Sequence, residues 1–182
     1  SELVARYRAE KLSFFPVPIR TKIPNFKWEA YQKRLPTDAE IAKWFNGHPT
    51  NIAVVCGKVS GNLVVLDFDD NENYLDFDAD YRNNNGIGID EFTRVTRGKR
   101  GAHVWVRVRQ PVKAMKTPKC EIRSEGNIQI VPPSIHPDGP TYRFESDMPI
   151  AVIESLTEIG IDLGQPALSG GGNQPGWISE LL

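Results

Sequence analysis

The chain has 182 residues, 40% of them hydrophobic and 25% charged, with a formal net charge of −1; this is ordinary globular usage and excludes a disordered or fibrous polymer. A chain of this length suits one domain and buries enough surface to fold without covalent staples. Two cysteines, Cys56 and Cys120, are too few for a disulfide scaffold or a zinc centre, and no apolar run approaches the roughly 20 residues of a membrane helix, so a reduced, cytoplasmic protein is expected.

In chain order, SELVARYRAEKL does not read as a signal peptide, and residues 2–12 have the spacing of an amphipathic helix. Thr37-Asp38-Ala39-Glu40 is a capping box that opens a short helix through Phe45. Apolar, β-branched runs predict strands over 52–56, 62–69, 93–96, 103–109, 120–123, 127–131 and 141–145, with Ser124-Glu125-Gly126 as a tight turn, so the sheet is at least partly antiparallel. A helix is expected over 149–159. The stretch GQPALSGGGNQPG then has linker composition, and the apolar WISELL after it suggests that the natural chain continues. The expected division is a domain over 1–164 and a linker with the start of a further region over 165–182.

Charge is sorted along the chain. Between Asp67 and Glu91 nine acids face Arg82 alone, and between Arg94 and Arg123 ten bases face Glu121 alone. Acids beside a basic surface suit metal-dependent phosphate chemistry, and equally suit two solvated faces.

Alternation sharpens the acidic part. In a strand running through VVLDFD, Leu63, Val65, Asp67 and Asp69 share one face, so the two carboxylates point the same way and can hold a divalent ion, or simply mark a solvated strand end. In HVWVRVR, Val104, Val106 and Val108 form an apolar face and leave His103, Trp105, Arg107 and Arg109 on the other; His103 taken alone reads more readily as a hydrogen-bonded sheet histidine than as a ligand for substrate. Glu121 and Arg123 project together, which makes a third acid available. DFDDNENYLDFD partly matches a calcium loop, but Glu72 stands where glycine is required.

The stretches NIAVVCGKVSGNLVVLDFD and EIRSEGNIQIVPPSIHPDG, with FFPVPIRTKIPNFKWEAYQKRLPTDAEIAKWF before them, resemble the bifunctional primase-polymerase family of the archaeo-eukaryotic primases over roughly residues 3–160. The resemblance implies an α/β (α+β) fold, an RNA-recognition-motif-like, mixed and largely antiparallel sheet preceded by an N-terminal α/β portion. It implies a DNA primase/polymerase of a plasmid, virus or other mobile element. Asp67, Asp69 and Glu121 would hold two Mg²⁺ or Mn²⁺ ions, Glu121 standing where the family usually has Asp. His103 would bind the triphosphate; the family's pattern has a small residue, usually Ser, two places before it, and here that place is Gly101. Arg97, Arg100, Arg123, Ser134 and His136 are the further candidates for the nucleotide, although Ser134 and His136 also fit a turn between Pro132-Pro133 and Asp138-Gly139. Trp105, Arg107 and Arg109 suit a DNA strand, or for Trp105 packing under a helix. The implied partners are single-stranded template and primer, a dNTP or NTP, a C-terminal helical primase domain and a helicase. A non-catalytic single-strand-binding module and a metal-dependent nuclease are the alternatives.

Overall fold

Ser1 opens the first helix, α1 (Glu2–Ala9), by accepting a hydrogen bond at Oγ from the Val4 N–H, and α1 buries Val4 and Tyr7 one turn apart. The computed structural model describes residues 1–164. After α1 come β1 (Phe14–Val17), α2 (Asp38–Trp44), β2 (Asn51–Val55), β3 (Leu63–Phe68), α3 (Asn71–Asn85), α4 (Ile89–Phe92), β4 (Val95–Arg97), β5 (Ala102–Val108), β6 (Met115–Lys116), β7 (Glu121–Arg123), β8 (Ile128–Val131), β9 (Arg143–Ser146) and β10 (Ala151–Ile153). The expected capping box at Thr37 and Glu40 is formed in both directions. Among the described residues, no helix is long and apolar enough to cross a membrane. Both cysteines are free and buried. The expected linker over 165–182 lies outside the described residues.

The strands form two sheets. A small antiparallel sheet has the order β1-β2-β8; a larger one runs β6-β7-β3-β5-β4-β9, with β10 parallel beside β5. The fold is thus α+β with largely antiparallel sheets. Alternation along β3 and β5 decides the layers: Val64, Leu66, Phe68, Val104 and Ile122 pack with α3 on one face, while Leu63, Val65 and Trp105 face the small sheet's Phe14, Ile52, Val54 and Val131 under α1. Each fully buried Val, Leu, Ile or Phe contributes about 1.5–3 kcal/mol, so this double burial makes β3 and β5 the rigid centre that carries the site.

Three stretches differ from the sequence expectations or add to them. The acid-rich stretch after β3, for which no element is expected, is the 15-residue helix α3, capped by the Asp70 side chain, which accepts from Glu72 N–H. Its Tyr74, Phe77 and Tyr81 are buried at helical spacing, which leaves Glu72, Asp76, Asp78 and Asp80, four of the nine acids of the block, off the buried stripe of α3. The helix expected over 149–159 is instead β10 followed by a 3₁₀ turn at Leu156–Ile159; β4 pairs only with residues 102–104 of β5, and the β-branched Val152 and Ile153 complete that edge over 106–108. The Ser124–Gly126 turn is present, but β7 and β8 on either side of it belong to different sheets, so it is a crossover and not a hairpin.

Candidate active site

Register gathers four side chains into one row. β3 sets Asp67 opposite Glu121 of β7 and opposite His103 of β5, and β4 sets Thr96 opposite His103. Directly opposed residues share a face, with Cβ atoms about 5 Å apart. Glu121, Asp67, His103 and Thr96 therefore project together from the face that carries Val65 and Trp105. The row lies at the end of the inter-sheet core, so Asp67 and His103 are each only 6% exposed.

Arg123, opposite Val65 on that face, reaches into the row. Its Nη2 lies 2.8 Å from Asp67 Oδ2 and 3.1 Å from Glu121 Oε2, and Nη1 donates to the Ile128 carbonyl of β8 at 2.9 Å. One guanidinium thus joins both carboxylates and ties the two sheets together. Burial pushes the Asp67 carboxyl up to about 6; Arg123 opposes this, while Asp69 and Glu121 add to it. Burial, reinforced by the positive charges of Arg123, Lys22 and Arg97, lowers His103 to about 3. The imidazole is therefore neutral near pH 7, and its 3.4 Å approach to Asp67 Oδ1 is not an ion pair.

A cavity of about 150 Å³ opens in front of the row. Of the residues singled out in the sequence, Asp67, Asp69, His103, Arg100, Arg123 and His136 line it. Glu121 does not; it is bonded to Arg123. Arg97 is committed elsewhere, held bidentately by Glu145 and lying 4.5 Å over the Tyr74 ring. Ser134 is buried, and its hydroxyl accepts from the Ile52 N–H at 2.8 Å, pinning β2. Trp105 is fully buried in the inter-sheet core, and Arg107 donates to the backbone carbonyls of Glu10 and Ser60, so neither is turned toward a DNA strand. Arg109 is exposed.

Sequence reasoning missed Lys22, Gln129 and Tyr142, which also line the cavity. Tyr142 lies between two histidines, its ring 5.9 Å from those of both His103 and His136. Lys22 comes from the loop after β1, far from the acids in sequence; no motif spacing reaches it. Lys99 is occupied by Asp138 at 2.7 Å, whereas Lys22 and Arg100 have no carboxylate partner among the described residues. Buried Arg123 Nε and Gln129 Oε1 likewise have no hydrogen-bond partner among the described residues.

Among the described residues, no three His, Cys, Asp or Glu side chains stand close enough to hold a metal ion as placed. The expected triad of Asp67, Asp69 and Glu121 is not assembled, because Arg123 sits between two of its members and Asp69 lies exposed beyond the end of β3. The donor set nevertheless fits a hard divalent cation. Its members are carboxylate oxygens, and Asp67, whose carboxyl is pushed up chiefly by burial, is a desolvated anion with two further acids near it, a setting in which a hard cation is favoured.

The family model described as bifunctional DNA primase/polymerase, N-terminal, matches residues 4–157, and the chain belongs to that family. No curated protein matches it. The family's function is that of a DNA primase/polymerase, a nucleotidyltransferase that is generally dependent on divalent metal.

Proposed function

We propose that this chain joins nucleoside triphosphates to a growing 3′ end on single-stranded DNA, both starting primers and extending them, in the replication of a plasmid, virus or other mobile element. One observation carries the reading: paired carboxylates and a neutral imidazole share a cross-strand row beside a small cavity that Lys22 and Arg100, cations without a carboxylate partner among the described residues, also line. Carboxylates alone would serve a nuclease and cations alone a DNA-binding module; the two together suit a triphosphate reacting with a hydroxyl.

Asp67, Asp69 and Glu121 would hold two Mg²⁺ or Mn²⁺ ions, which supply a polarised attacking hydroxyl and neutralise charge on the triphosphate. The primer 3′ oxygen bonds to the α-phosphorus, the bond from that phosphorus to the leaving pyrophosphate breaks, and the hydroxyl proton passes to solvent water. His103, in contact with Asp67, holds a phosphate oxygen without carrying charge itself. Arg100 and Lys22, which both line the cavity, meet the charge of the β- and γ-phosphates, and Arg123 Nε offers a further donor. A helical primase domain and a helicase are the further partners that this reading calls for.

The experiment is one assay reading both dNTP incorporation and loss of DNA, with Mn²⁺, for the wild type, Asp67→Asn and His103→Ala. Incorporation that disappears in Asp67→Asn and drops at limiting dNTP in His103→Ala is expected. Degradation without incorporation would make the site a nuclease, and binding with neither activity would make it a single-strand-binding module.

A further inference from the structure

Behind His103, away from the cavity, two buried side chains form a chain of hydrogen bonds. The Trp105 indole N–H donates to Thr96 Oγ1 at 3.0 Å, and Thr96 Oγ1 lies 3.1 Å from His103 Nδ1. Thr96 and Trp105 are fully buried and neither lines the cavity. Sheet geometry fixes the arrangement: Thr96 is the register partner of His103, and Trp105 is two residues further along β5 on the same face.

The donor and acceptor inventory sets the direction of this chain. An indole N–H only donates, so it occupies one lone pair of the threonine oxygen. The threonine proton must then find an acceptor, and the contact it has among the described residues is Nδ1. Were Nδ1 to carry the proton, the hydroxyl would receive two donors and its own proton would be stranded in the core, an arrangement buried polar groups avoid. With Nδ1 accepting, the neutral ring keeps its proton on Nε2, the nitrogen that faces Asp67 and the cavity.

We infer that Thr96 and Trp105 are positioning residues that lock His103 as the Nε2–H tautomer, so that the ring presents a hydrogen-bond donor to a phosphate oxygen. The role rests on the nucleotide reading of the cavity. Phosphate oxygens only accept, and the opposite tautomer would turn a lone pair toward them. The neutral donor also adds no positive charge beside Arg123, which already serves both carboxylates.

The tautomer can be read directly by long-range ¹H–¹⁵N NMR of the histidine rings without nucleotide, His103 being assigned by the signal lost in His103→Gln. The wild type should show a proton on Nε2 and a hydrogen-bonded, unprotonated Nδ1. Thr96→Val, nearly isosteric, should release Nδ1 and populate both tautomers. Trp105→Phe should weaken the preference without reversing it, because the threonine oxygen is then free to accept from Nδ1–H as well as to donate to Nδ1. Thr96→Ser should restore the wild-type pattern. In calorimetric titration with dATP and Mn²⁺, Thr96→Val should bind about twofold more weakly, since only part of the population then carries the competent tautomer, and Thr96→Ser should bind like the wild type. A wild-type proton on Nδ1, a tautomer indifferent to Thr96→Val, or a released tautomer with unchanged dATP affinity would each overturn the inference. Absence of dATP binding by the wild type would overturn the role together with the nucleotide reading, whereas failure of the lock itself is seen in the ring spectra alone.

Discussion

Replacing Arg123 by Met removes the positive charge that Asp67 and Glu121 share while keeping most of the stem. Breaking a buried pair by deleting one partner costs about 3–5 kcal/mol. Here Arg123 and Glu121 side chains are 28% and 29% exposed, so water relieves part of the loss and the cost should be about 2–3 kcal/mol. For a chain of this size that corresponds to a fall in Tm of about 4–12 °C. A divalent cation placed among the same carboxylates supplies the missing charge. Mn²⁺ should therefore raise the Tm of Arg123→Met more than that of the wild type, by the linkage between ligand binding and folding. Thermal melts of both proteins with EDTA and with Mn²⁺ measure this, with Asp67→Asn as the control that should lose the metal response. Equal Mn²⁺ shifts in the wild type and Arg123→Met, or a loss below about 2 °C in EDTA, would refute the view that one guanidinium holds a cation-demanding pair.

Two further outcomes are expected. Arg94 is fully buried, and its two terminal nitrogens donate to the Glu10 carboxylate; burial raises the Glu10 proton affinity, but bonds from Arg94 and then Arg6 outweigh it and hold the carboxyl below its usual range. A depressed folded-state value stabilises above the unfolded pKa of about 4.3 and is lost as pH falls through the folded value, so urea unfolding should show Glu10→Gln weaker by about 3 kcal/mol at pH 7 and the gap shrinking toward pH 2; a gap independent of pH would contradict the pairing. Lys22→Ala should leave Tm unchanged while weakening dATP binding by about tenfold at low salt, as expected for one charge-assisted contact, and less at high salt; an unchanged affinity would take Lys22 out of the site.

Much of this was legible because period-two alternation is a strong signal when both faces of a strand are buried. Alternation declared which side chains share a face within each strand, Asp67 with Val65, His103 with Trp105 and Glu121 with Arg123; that the three faces form one site was implied by the family resemblance, and it is the register that sets them side by side. Alternation does not say what a side chain's end will touch. That Arg123 would bridge the two acids, and that Arg97 would turn to Glu145 and Tyr74, depends on neighbours brought by β8, β9 and α3. The helix α3 escaped notice because its Asp and Asn residues favour caps and turns, and its apolar stripe is thin. Lys22 reaches the site through a loop whose path is set by aromatic packing of Phe26 and Trp28 on Phe15, a tertiary effect without local pattern.

Gly101 is, with Glu121, one of two places where this chain departs from the pattern that the resemblance implies, and the structure gives this departure a steric cause. A Cβ on Gly101 would lie 1.5 Å from the Phe68 carbonyl oxygen, 2.7 Å from its carbon and 3.1 Å from the Asp69 carbonyl carbon. Non-bonded heavy atoms need about 3.5 Å, and the obstacle is backbone, which cannot swing aside like a side-chain tip. Admitting any side chain would push the end of β3 away from the start of β5, at the Phe68–Ala102 pairing, and carry Asp69 with it. Overpacking a well-filled position costs about 1–3 kcal/mol, and a clash with backbone at a strand pairing should reach the top of that range. Gly101→Ser should therefore not recover the hydroxyl contact that the family's usual serine suggests: it should melt several degrees lower and lose incorporation. Gly101→Ala separates the causes, since it carries the same Cβ without the hydroxyl. Matching losses in both variants are expected from the clash. If Gly101→Ser kept its Tm and bound dATP more tightly than Gly101→Ala, the strand pair would have to be more yielding than this packing allows, and the serine position would be one that this chain had merely left empty.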